Sequence, residues 1–311
     1  MRFEHGLPES IIKWLAAEAE KSGWWADVLA DKDLIIATRG DSLNVYFRGQ
    51  SIFRVAESSA GLTVTTHEKY LLDPTLRSQV PLAADGSFQI DQLIDRGFIR
   101  RYEGSETLRK LKKASERFSG LEKAGCHEIA ARNGSVVDCE IAFPGFVDAN
   151  DDSETDSGRI DFACFQEFDD DVRLVFWEAK HYSNKELRAD LRTDALAPVC
   201  DQIQRYKKFV ASHRKQITES FTRVATNLVC FSDMGWQRKL PEFVVAVANG
   251  SRRLVLGDDP QVGLLIFGFD EAQRESDRWK KHMSRLKCNI NPVHAVGVAK
   301  EIDLRSSVLR K

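Results

Sequence analysis

The sequence predicts a mixed α/β protein that carries a smaller α+β domain at its N-terminus. Near the N-terminus one helical pattern gives way to four short strand-like runs, whereas the second half alternates between helical patterns and strands. Of the 311 residues, 42% are hydrophobic, which is enough for a substantial core. We therefore expect two domains, 1–104 and 105–311.

Composition narrows the class of protein. The net charge is -2 and the sequence pI is near 6.4, so any contact with nucleic acid must come from local basic patches. Six cysteines without a CxxC pair indicate reduced thiols rather than a disulfide framework or a zinc site. No apolar signal core and no run of membrane-spanning length is found, and we expect a cytoplasmic protein without a membrane partner.

The N-terminal domain begins with a predicted helix, which Pro8 opens and Gly23 ends. The runs LIIATR, LNVYFR, SIFRVAE and GLTVTT follow, separated by turn residues, and they predict an antiparallel meander. A mixed stretch with a short helical pattern, FQIDQLIDRGF, completes the domain. We interpret the N-terminal domain as a module that recruits a substrate or a partner.

Arginines alternate with aromatic residues along the predicted meander. This pattern is compatible with a surface that contacts nucleic acid, but aromatic core residues and solvated arginines are the favoured interpretation. The residues concerned are Arg39, Arg48, Arg54, Tyr46, Phe47 and Phe53.

The second domain opens with a long helical pattern from Ser105 to Asn133, which Gly120 or Gly125 is expected to split. A strand, VVDCEIAF, follows and is broken at Pro144. The acidic run DANDDSETDSG predicts an exposed loop that leads to the next strand pair.

The most informative stretch is a predicted β-hairpin, RIDFACFQEF and VRLVFWEAK, with Asp169 and Asp170 at its tip. Counting back along both strands places Asp161 opposite Glu178, and directly opposed residues point to the same face. Lys180 shares this face because side chains alternate along a strand. Two carboxylates and an ammonium group are therefore predicted to converge.

Two interpretations of this cluster are open. Both faces of the hairpin are otherwise apolar, and like carboxylates in such surroundings need a positive partner. A divalent cation such as Mg²⁺, which prefers carboxylate oxygens, meets this need. A structural ion pair between Lys180 and either carboxylate meets it as well.

Helical patterns resume after the hairpin. HYSNKELRADL predicts one helix, and Pro198 precedes a second, in which Gln202 and Tyr206 are four residues apart and lie on one face. Four further runs, TNLVCFS, PEFVVAVANG, RRLVLG and QVGLLIFGF, are strand-like. The pattern DEAQRESDRWKKHMSRLKC predicts a final amphipathic helix.

The sequence resembles the PD-(D/E)XK nuclease superfamily in these residues and in the order of its elements. The matching features are, in chain order, a helix with Glu128, then Asp161, then Glu178-Ala179-Lys180 at the end of a hairpin, and a helix with Gln202 and Tyr206. A glutamine followed four residues later by a tyrosine, on the helix after the motif, is similar to the pattern of the RecB/Cas4-like branch. The cysteine quartet that would hold an iron–sulfur cluster is absent from the sequence. The resemblance implies a restriction-endonuclease-like mixed sheet flanked by helices.

The resemblance also implies roles. Asp161, Glu178 and the carbonyl oxygen of Ala179 would hold Mg²⁺ or Mn²⁺, and Lys180 would orient the attacking water and stabilise the charge of the transition state. Glu128 would assist metal binding, with Glu122 as the second candidate. Gln202 and Tyr206 would fix the metal site or the substrate backbone.

A metal-dependent nuclease, most simply a DNA endonuclease, is the expected function, and a place in prokaryotic restriction or antiphage defence follows by analogy alone. A partner protein of such a system and a homo-oligomer are both compatible with it. Three alternatives stay open: a protein that binds nucleic acid without cleavage, a ribonuclease, and an unrelated α/β protein with a structural salt bridge.

Overall fold

The computed structural model describes residues 3–59, 61–73, 97–143 and 158–304. The helices in these ranges are α1 Glu9–Ala19, α2 Trp24–Ala30, α3 Ser105–Glu116, α4 Leu121–Arg132, α5 Pro198–Ser212, α6 Arg214–Asp233, α7 Glu242–Ala248, α8 Glu271–Glu275 and α9 Asp277–Asn289. The strands are β1 Ile35–Thr38, β2 Ser42–Phe47, β3 Gln50–Ser58, β4 Gly61–Thr65, β5 Val136–Ala142, β6 Arg159–Phe168, β7 Asp171–His181, β8 Leu254–Val255, β9 Val262–Phe267 and β10 Val293–Ala295.

The first sheet is the predicted meander, with strand order β1-β2-β3-β4 and antiparallel neighbours. Its β2–β3 turn consists of Arg48 and Gly49, with φ of 48° and 73°. Positive φ at both central residues is the type I′ pattern that suits a two-residue hairpin. A Cβ atom on Gly49 would lie 2.7 Å from Cβ of Lys123, so glycine allows this turn to pack directly on α4.

The second sheet has the order β10-β9-β7-β6-β5, with β8 beside β7. β5, β6 and β7 form an antiparallel meander, whereas β9 is parallel to β7 and β10 is parallel to β9. The prediction of a mixed α/β protein is confirmed at this level.

Both faces of the second sheet are covered, as the apolar hairpin strands predict. Phe165 and Phe176 belong to the larger apolar core, which also contains residues of α5 and α6. Phe162 and Trp177 belong to a second core, which contains residues of α4. Buried side chains of α1 and of the first sheet join the larger core, so the two predicted domains pack against each other. The boundary at 104/105 stays a prediction.

Two predicted strands are wrong, because TNLVCFS lies inside α6 and PEFVVAVANG contains α7. The reason is visible in α6, where Phe221, Val224, Leu228 and Phe231 are buried at spacings of three and four residues. This helical period determines the fold of the segment, although valine and phenylalanine also favour strands.

The helix predicted over HYSNKELRADL is also wrong. The segment forms only a short 3₁₀ turn at Lys185–Leu187, capped by the Asn184 side chain, and the backbone is extended again at Arg188. The long pattern from Ser105 is split at Gly120, as expected. The predicted loop at 148–158, apart from Gly158, and most of FQIDQLIDRGF lie outside the described residues. Within the described part of the chain, no helix has the length and apolarity needed to cross a membrane.

His127 on α4 leads to a prediction about stability. Burial lowers the pKa of this imidazole from 6.5 to about 4, so the folded protein favours its neutral form. The corresponding stability is complete above pH 6.5 and is lost as the pH falls towards 4, by about 3 kcal/mol in total. We expect the free energy of unfolding to fall more steeply over this window in the wild type than in His127→Gln, as measured by urea titrations at several pH values. A difference between the two proteins that is independent of pH would contradict this assignment.

Candidate active site at a strand fork

The candidate site lies where β6 and β7 separate. The two strands pair from Phe168–Asp171 at the tip to Phe162–Trp177, which confirms the predicted register as far as this pair. The predicted pair Asp161–Glu178 is not among the strand pairs, because the strands separate there. Beyond this pair β7 continues alongside β9 as far as His181. The residues that follow the last pair are Asp161 on β6 and Glu178 on β7, so both stand at the opening of the fork.

Asp161 turns its carboxylate into the gap between the strands. Its Oδ2 accepts a hydrogen bond of 2.6 Å from the backbone N–H of Ala179, and the Cys126 thiol lies 3.9 Å from its Oδ1. Burial raises the pKa of Asp161 well above its usual range, and the Glu178 and Glu140 carboxylates raise it further. The surrounding protein groups therefore stabilise the ionised form of Asp161 only weakly.

Glu178 is 2% exposed and has two unequal oxygens. Its Oε1 lies 2.9 Å from Nζ of Lys180. Its Oε2 is buried and has no hydrogen-bond partner among the described residues. Burial raises the pKa of Glu178 to about 7, although the charge of Lys180 acts to lower it. An unpaired buried carboxylate oxygen is costly, and a cation at this position would remove the cost.

Lys180 is held between two carboxylates, because its Nζ also lies 2.6 Å from Oε2 of Glu186. Burial acts to lower the pKa of Lys180, but the charges of Glu178 and Asp161 and hydrogen bonds to Glu186 and Glu178 raise it above its usual range. Lys180 is therefore a permanent cation at the fork. The ion pair expected from the sequence is present, and it leaves the second oxygen of Glu178 uncompensated.

A short network from α4 fixes the segment after Lys180. Glu122 accepts hydrogen bonds from the backbone N–H of His181, at 2.8 Å, and from Nδ2 of Asn184, at 2.9 Å. Asn184 in turn accepts one from the backbone N–H of Glu186. Glu122 thus anchors the turn that carries the second partner of Lys180.

Glu128 requires a correction, because the structure does not bring it to the fork. Its side chain is 42% exposed and lies 3.7 Å from Nε of Arg132, one turn along the same helix. Glu122, in the first turn of α4, contacts the end of β7, and Glu128 lies nearly two turns further on, on another side of the helix. Glu122 is the acid of α4 that contacts the site.

A paired substitution tests this correction. If the fork is the metal-dependent nuclease site that the resemblance implies, Glu122→Gln should lower cleavage by roughly tenfold to a hundredfold, as for other residues that orient a metal site without reaching the substrate. Glu128→Gln, which breaks one exposed pair on the same helix, should change the rate by no more than a few-fold. Initial rates at saturating Mg²⁺ measure both effects. A larger loss of rate in Glu128→Gln than in Glu122→Gln would show that Glu128 is the acid that belongs to the site.

Gln202 and Tyr206 lie on one face of α5, as their spacing predicts. Nε2 of Gln202 donates to the Tyr206 hydroxyl at 2.9 Å, and this hydroxyl donates to the carbonyl oxygen of Arg159 at 2.7 Å. Tyr206 therefore holds the start of β6, two residues before Asp161. Oε1 of Gln202 is buried and has no hydrogen-bond partner in the described part of the chain, so the pair is suited to positioning groups at the fork.

Two acidic residues near the fork could not be identified from the sequence. Glu186 follows the hairpin in what reads as a solvent-exposed helical run. Glu140 lies on β5 with a φ of 54°, and its charge raises the pKa of Asp161. An alternating strand pattern gives no sign of a left-handed residue, and such residues often cluster at functional sites.

The donors at the fork fit one hard divalent cation better than zinc. Among residues 3–59, 61–73, 97–143 and 158–304, no three His, Cys, Asp or Glu side chains are arranged to hold a metal by themselves. Mg²⁺ needs no such cage, since one or two carboxylates suffice when water and phosphate oxygens complete its shell. At the fork, Asp161, the free oxygen of Glu178 and the carbonyl group of Ala179 are the oxygen donors that could take part in such a shell.

Comparisons with family models, with curated proteins and with solved structures find no match to this chain. The geometry of the fork is therefore the basis from which a function is inferred.

Proposed function

We propose that the fork is the active site of a Mg²⁺-dependent nuclease that hydrolyses phosphodiester bonds in DNA, on a restriction-endonuclease-like fold of the PD-(D/E)XK type. The observation that carries the proposal is the buried Oε2 of Glu178, which has no partner among the described residues although Asp161 and Lys180 are its neighbours. The order of elements agrees with it: a helix, then the hairpin with both motif acids, then the helix with Gln202 and Tyr206.

Each residue has a physical role in this proposal. Asp161, Glu178 and the Ala179 carbonyl group would hold the cation. When bound, Mg²⁺ polarises a phosphate oxygen and lowers the pKa of a coordinated water molecule. Lys180 stays charged beside both acids, so it can orient the attacking water by a hydrogen bond and stabilise the negative charge that develops on the phosphate.

Two rival functions make different predictions. A protein that only binds nucleic acid would not cut, and a ribonuclease would act on RNA alone. Incubation of supercoiled plasmid, linear duplex, single-stranded DNA and RNA with the protein, in Mg²⁺ or in EDTA, distinguishes all three. We expect cleavage of DNA in Mg²⁺, none in EDTA, and none with Glu178→Ala. If the folded protein cleaves none of these substrates with Mg²⁺ or Mn²⁺, the proposal is refuted.

The pKa of Glu178 leads to a pH prediction. The carboxyl group is protonated below about pH 7 and must lose its proton before it can bind a cation. The apparent affinity for Mg²⁺ should therefore rise with pH, by about tenfold per pH unit below 7 for the Glu178 proton and more steeply where Asp161, whose pKa is also raised, loses its proton. The Mg²⁺ concentration that gives half-maximal cleavage, measured at several pH values, reports this change. A half-saturating concentration that is constant across the window would contradict it.

A further inference from the structure

Four basic side chains lie close together on one side of α9. Arg188 directly follows the 3₁₀ turn at Lys185–Leu187. Arg278, His282 and Arg285 lie on α9 at spacings of four and three residues, so they form one stripe along this helix. Burial lowers the pKa of the His282 imidazole, and the charges of the three arginines lower it further. All three arginines therefore lie near this ring.

Arg188 is fixed against two aromatic rings. Its guanidinium carbon lies 4.6 Å from the centre of the Tyr182 ring and 4.4 Å from the centre of a Trp279 ring. Its Nη2 donates a hydrogen bond of 2.7 Å to the carbonyl oxygen of Tyr182. Its Nη1 is buried and has no hydrogen-bond partner in the described part of the chain. A guanidinium group that is held in this way, with donors still free, is already ordered for an oxyanion.

The cluster has an excess of hydrogen-bond donors and of positive charge. His282 is 2% exposed, and neither of its ring nitrogens has a hydrogen-bond partner among the described residues. No carboxylate of the described residues contributes to the pKa shift of His282 or of Arg188. The acids nearest along the chain are all exposed: Asp190, Asp194 and Asp277. Buried donors without a partner are costly, and a bound anion would remove this cost.

The arrangement of the donors suits a phosphate group better than a carboxylate. They come from two elements, because Arg188 precedes α5 whereas the other three residues belong to α9. Arg285 also ties the two elements together, since its Nη1 donates to the carbonyl oxygens of Asp190 and Thr193. A single arginine can satisfy both oxygens of a carboxylate, but donors from several directions need the larger number of oxygens that phosphate offers.

The cluster lies on the Lys180 side of the fork. Nζ of Lys180 lies 2.6 Å from Glu186, which belongs to the 3₁₀ turn that Arg188 follows. Tyr182, whose carbonyl oxygen Arg188 binds, is two residues after Lys180. Two residues span about 7 Å at most, so the Arg188 guanidinium lies on the order of 10 Å from the Lys180 backbone. A DNA strand covers this distance in about three nucleotides.

We propose that Arg188, Arg278 and Arg285 form a binding site for a phosphate group, to which the His282 ring supplies a further donor. The phosphate belongs either to a free ion or nucleotide, or to the backbone of a nucleic acid strand that extends from the fork. The second source rests on the proposed nuclease function and makes the cluster a part of its substrate site.

Arg278→Gln is the sharpest test, because Arg278 is exposed and makes no hydrogen bond or ion pair with the residues that the structure describes. Thermal melting is recorded without metal in sodium phosphate and in sodium acetate, at equal pH and ionic strength. We expect phosphate to raise the wild-type melting temperature by about 2 °C or more relative to acetate. This shift should fall by roughly half in Arg278→Gln and vanish in Arg188→Gln. Lys287→Gln is the matched control, since Lys287 is exposed on the opposite side of α9 from Arg278 and should keep the full shift.

Binding of a fluorescein-labelled oligothymidine, measured by anisotropy in EDTA, distinguishes the two sources of phosphate. If the cluster holds a backbone phosphate, Arg278→Gln should raise the dissociation constant by about threefold or more and lower the slope of log affinity against log salt by about 0.7. If the cluster holds only a free phosphate, the variant should bind the oligonucleotide like the wild type and still lose the melting shift.

The inference is overturned if neither measurement changes in Arg278→Gln and Arg188→Gln, or if acetate stabilises the wild type as much as phosphate does. Neither measurement involves cleavage. A protein that binds phosphate through these arginines but cuts no substrate would therefore refute the nuclease proposal and leave the phosphate site intact.

Discussion

Lys180→Met is expected to lower the rate of Mg²⁺-dependent DNA cleavage by roughly a hundredfold to a thousandfold while the protein stays folded. Methionine keeps most of the volume of the lysine stem and removes the ammonium group that Glu178 and Glu186 share. The fold should tolerate the loss, because these carboxyl groups can take up protons once their cation is gone. Single-turnover cleavage of a plasmid, together with circular dichroism and thermal melting, measures both parts of the prediction.

Lys208→Met is the control for this substitution, since Lys208 is an exposed lysine on α5 and should tolerate methionine without loss of rate. Three outcomes decide between the interpretations. A folded but inactive Lys180→Met protein supports a catalytic lysine. Loss of the fold in both Lys180→Met and Glu178→Ala favours a purely structural ion pair. A folded protein with full activity removes Lys180 from the mechanism.

The local geometry of the site could be predicted because it depends on a two-residue turn and on strand alternation. Once Asp169 and Asp170 form the tip, every pair back to Phe162–Trp177 follows by counting. The fork itself could not be predicted, because β7 leaves β6 to follow β9, which lies about eighty residues further along the chain. The contact between Glu186 and Lys180 could not be predicted either, because it depends on the turn that the Asn184 side chain caps.

The errors in the prediction have a common physical cause. Apolar runs in α6 and α7 resemble strands in composition, but local propensity is weak compared with the burial of a helical stripe. The choice of Glu128 over Glu122 failed for a related reason. Both lie on α4, and only the contacts of the folded helix show that Glu122 meets the end of β7 whereas Glu128 pairs with Arg132.

Asp138→Ala is expected to lower the free energy of unfolding by about 3 to 5 kcal/mol. The Asp138 side chain is fully buried and bridges the two predicted domains. Its oxygens accept hydrogen bonds of 2.8 and 3.0 Å from Arg39 and one of 2.8 Å from the backbone N–H of Cys139. Its Oδ2 also lies 2.8 Å from Nδ1 of His5. Removal of the carboxylate would leave the Arg39 guanidinium buried without its counter-charge, and this uncompensated charge accounts for most of the expected cost.

Urea denaturation followed by tryptophan fluorescence measures the change in the free energy of unfolding. The control is Glu219→Ala, which deletes an exposed acid with a weak partner on α6 and should match the wild type.

The number of unfolding transitions tests how the two predicted domains are coupled. Leu7 donates a hydrogen bond of 2.6 Å to Asn227, and the larger core contains side chains from both predicted domains. We therefore expect one cooperative transition in the wild type. Because the Asp138 contacts cross the predicted boundary at 104/105, a second, earlier transition that appears only in Asp138→Ala would indicate that the N-terminal unit can unfold alone. A single transition at an unchanged urea midpoint would show that the cluster does not stabilise the fold.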